Sequence, residues 1–222
     1  MTIIDITRTL VAGTAVWPGD IPYELKTSLR LADGDSVNLT RLNMSAHTGT
    51  HVDAPYHFAA DGATMEAISP DIYWGPAQVV TVARDAGPLT PGDFAHVDLT
   101  RAPRLLVHSA AGDLPQTVFP AAYVYPAPAL AAHLAQAGVM LFGSDAPSMD
   151  AEDSKTLEGH HALRAQGIAI LEWLDLSRAP DGLYELVALP LKIAGGDGSP
   201  VRAALRTLQP SSPATSSRPD AP

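Results

Sequence analysis

The sequence predicts an α/β fold with a mainly β core. Two observations carry that expectation. Short apolar or alternating runs, bounded by Gly, Pro, Asn and Asp, recur along most of the 222 residues, as strands and their turns do. Only two stretches, residues 126–138 and 157–166, carry the patterning and stop signals of helices.

In chain order, residues 3–7 read as a short strand, followed by a loop through Gly13, Trp17, Pro18 and Gly19. Across residues 23–44 apolar residues often alternate with polar ones (Val37, Leu39, then Leu42, Met44), which predicts half-buried strands. Asp33, Gly34 and Asp35 split that stretch into a hairpin. Residues 77–83 (AQVVTVA) and 104–108 read as buried strands. PAPALAAHLAQAG, 126–138, has prolines ahead of an Ala- and Leu-rich centre and a glycine stop, hence a helix. Residues 139–142 and 168–171 read as interior strands, 157–166 as a helix ended by Gly167, and 185–193 as a late strand. There is no internal repeat and no linker, so 1–208 reads as one domain. Residues 209–222, QPSSPATSSRPDAP, read as a disordered tail with almost nothing to bury.

Composition narrows the chemistry. A net charge of −10 argues against binding a phosphate backbone or an anionic membrane surface. With no cysteine, any metal must sit on nitrogen and oxygen ligands, and no disulfide framework is possible. The opening MTIIDITRTL has neither a basic stretch nor a long apolar run, and no segment reaches membrane-span length, so a cytoplasmic location is expected.

The densest chemistry is HTGTHVDAPYHF, residues 47–58, which holds His47, His51 and His57 out of eight histidines in the chain. Each imidazole brings a donor and an acceptor that need partners when buried, so such a cluster is unlike core filler. Gly49, the β-branched Thr50 and Val52, and Pro55 disfavour a helix here. In an extended segment His51 and Asp53 point the same way, and Gly49 lets the backbone fold so that His47 joins them. Two imidazoles and a carboxylate suit a divalent ion such as zinc, and the pattern does not separate zinc from manganese. His57, beyond Pro55, reads either as another ligand or as a general acid/base. Farther on, His160, His161 and Glu172 fall near the second helix and a strand end. A carboxylate there is costly to bury unless paired or metal-bound, and the plainer alternative is that all three face water.

Together these residues resemble the cyclase-like metal-dependent hydrolases, whose signature HxGTHxDxPxHF is matched in full from His47 to Phe58. WPGD at residues 17–20, GSDAPSMD at 143–150, GHHAL, and LPLKIAGGDGSPVRAALR near the end are most similar to the bacterial kynurenine formamidases, or arylformamidases. The resemblance implies a swivelling β/β/α fold and two divalent ions per subunit, zinc foremost. It implies that His47 and His51 hold one ion, His160 the other, and that Asp53 and Glu172 bridge them. It further implies His57 as the proton shuttle, Trp17 as a wall of the substrate pocket, and a homodimer. The implied reaction is hydrolysis of N-formyl-L-kynurenine to L-kynurenine and formate in tryptophan breakdown. Its rivals are hydrolysis of a cyclic aryl amide such as isatin, a cyclase or dehydratase role, and a metal-binding module without turnover. A purely structural site has no use for the extra imidazole of His57, which argues against the last.

Overall fold

The neighbours Leu105 and Leu106, Leu141 and Phe142, and Ile170 and Leu171 are all buried although each pair points to opposite sides of its strand. Strands apolar on both faces must lie inside a sheet covered on both sides. The computed structural model, which describes residues 2–208, builds the fold around such a sheet. The expected tail at 209–222 lies outside the described residues.

The chain runs β1 (Ile3–Asp5), β2 (Glu24–Leu29), β3 (Leu39–Asn43), β4 (His51–Asp53), β5 (Trp74–Thr81), β6 (Gly87–Leu89) and β7 (Arg104–His108). It continues through β8 (Val124–Pro126), α1 (Pro128–Gln136), β9 (Leu141–Ser144), α2 (Glu158–Ala165) and β10 (Ala169–Glu172). β11 (Gly182–Val187), β12 (Gly198–Pro200) and β13 (Ala204–Thr207) complete it. Nine strands form one mixed sheet in the order β1-β13-β11-β5-β7-β9-β10-β4-β12. The central β5, β7, β9 and β10 are parallel, and the flanking strands pair antiparallel. Leu130 and Leu134 of α1 and Leu163 of α2 pack on one face with Leu105, Phe142 and Ile170. The other face gathers Leu106, Leu141 and Leu171 with Ile6, Tyr184 and Leu205. This is the expected α/β architecture with a β-dominated core.

Four expectations need correction in detail. The first strand stops at Asp5, and Thr7 makes only an isolated bridge to Leu174. β5 starts at Trp74, ahead of the apolar run, because its pairing with β11 continues through Gly75 and Pro76. The late strand is β11, ending at Val187, and Leu189, Leu191 and Ile193 lie exposed in the loop beyond it. The hairpin forms, with Leu25 opposite Leu42, but it is exposed rather than half-buried: Leu25 is 55% exposed and Leu42 59%. A register shift between Thr27 and Leu29 puts the pair Leu29–Leu39 on the face opposite Leu25–Leu42, so the apolar residues divide between both faces. Among the described residues no helix is long and apolar enough to cross a membrane.

Close approach of backbones sets α2. A Cβ on Gly159 would lie 2.0 Å from the Met149 carbonyl oxygen and 3.1 Å from that of Pro126. Helix propensity alone favours alanine over glycine by about 1 kcal/mol, but a clash with backbone has nowhere to relax. Gly159→Ala is therefore expected to destabilise the protein by about 1–3 kcal/mol, read as a lower denaturation midpoint. Unchanged or increased stability would show that α2 is free to move away.

Candidate metal centre

The site is built by strand register. β4 lies between β10 and β12, with His51 opposite Glu172 and Asp53 opposite Ile170. Directly opposed residues share a face, and so do residues two apart on a strand. His51, Asp53 and Glu172 thus project together on the helix-covered side, while Val52 and Leu171 enter the opposite core. The turn before β4 needs Gly49, whose φ is 65° and whose Cβ would meet the Leu10 side chain at 2.8 Å. It returns His47 to the cluster, and α2 delivers His160.

The atoms that meet are buried and incompletely paired. His51 Nε2, Asp53 Oδ2 and Glu172 Oε1 have no hydrogen-bond partner among the described residues. His51 Nε2 lies 3.4 Å from a carboxylate oxygen of each acid, and His160 Nε2 lies 3.5 Å from Asp53 and 3.6 Å from Glu172. These separations are long for hydrogen bonds. They approach the roughly 3.3–3.4 Å edge of a tetrahedron of N and O ligands about a zinc-sized ion. Both rings are held with Nε2 facing the cluster: His51 Nδ1 donates to the Gly49 carbonyl at 2.7 Å, and His160 Nδ1 to Asp150 Oδ2 at 2.6 Å. Asp150 also accepts the backbone N–H groups of Gly159 and His160, so one carboxylate orients the start of α2 and the ring it carries.

The electrostatics point the same way. Burial disfavours the charged forms of His51 and His160, but the acids that face them, Asp53 and Glu172 for His51 and Asp150, Asp53 and Glu172 for His160, outweigh it and push both up to about 10. Burial and the neighbouring Asp53 charge raise Glu172 above the usual carboxylate range. Burial also works against ionised Asp53, yet the imidazoles of His160, His47 and His51 around it hold it well below that range. Two buried carboxylates that cannot both ionise comfortably, with lone pairs unspent, form a site short of positive charge. Protons or a bound cation can supply it, and the donor set fits a divalent metal.

His47 and His57 complete the wall. His47 Nδ1 lies 3.0 Å from Asp53 and its Nε2 3.1 Å from Asp197, which raise it against the effect of burial. His57 is more exposed, 3.5 Å from Asp197, with its ring centroid 3.9 Å from that of His47. Burial lowers its pKa and the Asp53 charge only partly opposes this, which favours the neutral, proton-accepting ring. His47, Asp53 and His57 also have potential ligand atoms within 4.8 Å of one another, so His57 stands within reach of the cluster. His161 points away and packs on Phe58.

These groups open into a pocket of about 480 Å³ lined also by Trp17 and Trp173. Trp17 meets Phe119 edge-on at 5.7 Å, and Phe119 meets Trp173 at 5.8 Å, a run of aromatic rings beside the cluster. Trp173 adopts φ 56°, costly for a bulky residue. Thr50 Oγ1 donating to its carbonyl, its own N–H donating to Ala146, and Arg8 stacked 5.0 Å from its ring hold it there. The chain thereby leaves the sheet directly after Glu172. Asp150, Asp197, Phe119 and the role of Trp173 escape sequence reasoning. Asp150 and Asp197 do lie in motifs quoted above, but no spacing ties them to His160 or His47.

A family model described as Cyclase ("Putative cyclase") matches residues 4–151. Kynurenine formamidase of Salinibacter ruber is 46% identical over 207 residues, covering 93% of this chain and 98% of the relative. A solved structure described as a potential metal-dependent hydrolase with cyclase activity superposes with a TM-score of 0.80 at 28% identity, covering 94% of this chain and 99% of that one. Isatin hydrolase A of Labrenzia aggregata gives 0.79 at 25% identity, covering 92% and 93%. On its fold, its motif and these relatives, the chain belongs to the Cyclase family.

Proposed function

We propose that residues 1–208 form one metal-dependent amide hydrolase that cleaves N-formyl-L-kynurenine to L-kynurenine and formate, a cytoplasmic step of tryptophan breakdown. The observation that carries this reading is the convergence of unpartnered His51 Nε2, Asp53 Oδ2 and Glu172 Oε1 beside an aromatic pocket. Strong sequence likeness to a kynurenine formamidase supports the substrate. In this reading His47, His51, Asp53, His160 and Glu172 would hold two divalent ions, zinc foremost and manganese also suited. Such ions lower the pKa of water and polarise a carbonyl oxygen.

The chain's own groups supply the rest. Trp17 and Trp173 present flat apolar faces to the aryl ring, which orients the formyl group toward the buried carboxylates and imidazoles. His57, neutral and partly open to the pocket, accepts the proton as the water oxygen attacks the formyl carbon. It returns that proton to the departing nitrogen as the C–N bond breaks. An arylamine departs more readily than an alkylamine, because its ring shares the nitrogen lone pair. A second reading, hydrolysis of a cyclic aryl amide such as isatin, is favoured by the likeness to isatin hydrolase A, and kcat/KM on both substrates separates the two.

A homodimer is also proposed. The exposed Leu25 and Leu42 support it, since an isolated two-stranded ribbon is marginal in water. Charges on the hairpin balance (Lys26, Arg30 and Arg41 against Glu24, Asp33 and Asp35) on a chain of net −10, so two copies can meet there without added repulsion.

Four measurements test these assignments. A strong chelator should abolish turnover of N-formyl-L-kynurenine, and zinc or manganese should restore it. His57→Ala should keep its metal while kcat falls roughly 10²–10⁴-fold; metal lost together with activity would make His57 a ligand instead. Asp150→Asn should weaken metal affinity about 10–100-fold by releasing the His160 ring, seen in competition with a chromogenic chelator. An unchanged affinity would remove His160 or its support from the site. Sedimentation should give twice the 23.3 kDa chain mass, and a monomer at micromolar concentration would reject the dimer.

A further inference from the structure

The pocket has a buried chemical end and an open end, and the open end is charged in an unusual way. Apart from Glu172 of the buried cluster, the pocket lining includes the acids Asp20, Glu152 and Asp197, and among the described lining residues Lys155 is the one Lys or Arg. Glu152 and Lys155 are three apart on the segment that leads into α2, and both are exposed. Neither forms an ion pair within 4.0 Å, with the other or elsewhere among the described residues. The same two side chains line the neighbouring cavity of about 670 Å³, so they stand on the ridge between the two openings.

This arrangement discriminates by charge. A substrate bearing only a carboxylate meets the acids Asp20, Glu152 and Asp197 beside the lysine, and one bearing only an ammonium meets the lysine. A zwitterion satisfies both: its negative group finds the single cation and its positive group finds an acid beside it. We propose that Lys155 and Glu152 read the amino-acid end of the substrate, Lys155 Nζ donating to the α-carboxylate and Glu152 accepting from the α-ammonium. This rests on the formamidase reading of the same site and deepens it. The aryl formamide lies against the tryptophans and the buried cluster, and its zwitterionic tail extends to the solvent end. The pair is then what separates an amino-acid-bearing formamide from an uncharged cyclic amide that fits the same aromatic walls.

The test compares N-formyl-L-kynurenine with N-formyl-2-aminoacetophenone, which keeps the aryl ketone and formamide but ends in a methyl group. Wild-type metal-loaded protein should prefer the first in kcat/KM. Lys155→Met should lower kcat/KM for N-formyl-L-kynurenine about 10–100-fold, the worth of a charged hydrogen bond, chiefly through KM. It should leave the truncated formamide unchanged, and Lys155→Arg should retain most of the preference. The analogue that lacks only the ammonium should depend on Lys155 but not on Glu152, as Glu152→Gln will report. Equal losses on both formamides would make Lys155 structural, and a preference that survives Lys155→Met would overturn the assignment. Wild type that cleaves isatin but neither formamide overturns the formamidase reading and this proposal with it, an outcome visible before any variant is made.

Discussion

Asp53 and Glu172 are buried side by side on adjacent strands, at 4% exposure each, and most of the site's construction answers that placement. Two carboxylates removed from water in one spot repel each other and lose hydration that the interior does not replace. His51, His160 and His47 supply part of the missing positive charge, which is why all three rings are held at higher pKa than free imidazole. The unspent lone pairs define where a cation belongs. The sheet that brings the two acids together is packed by apolar core on both faces.

The supports around the cluster work by removing alternatives. His51 is fixed by a backbone carbonyl, and His160 by a carboxylate that also holds the first turn of α2. Gly159 lets α2 seat against the backbone at Met149, and Gly49 lets the turn after His47 close over Leu10. Trp173 is held in a left-handed conformation by Thr50, Ala146 and Arg8, and thereby brings its indole to the pocket wall one residue after Glu172. Each device places a functional atom by means of a residue that never faces the substrate.

Charge is layered along the pocket. The inner end gathers acids and imidazoles that call for cations, and the outer end combines acids with the single amine of Lys155. The same walls carry the indoles of Trp17 and Trp173. A molecule with a polar reactive group, a flat apolar ring and a zwitterionic tail has a counterpart for each part.

Residues 47–58 were legible because their chemistry is local. His51 and Asp53 share one strand, so period-2 geometry alone aligns them, and Gly49 announces the turn that returns His47. The apolar runs of β7, β9 and β10 were equally plain, since burial on both faces favours apolar side chains through their centres. Element ends moved by a few residues, as at β5 and β11, because hydrogen-bond partners set them. The hairpin's alternation gave its strands and turn but not their exposure, and a register shift divides its leucines between both faces. Tertiary structure alone decided that Glu172 stands opposite His51, that Asp150 holds His160, and that Asp197 reaches His47. Those are contacts between distant segments, set by strand register and helix packing. A one-residue slip would turn Glu172 to the other face without changing a single local pattern in the chain.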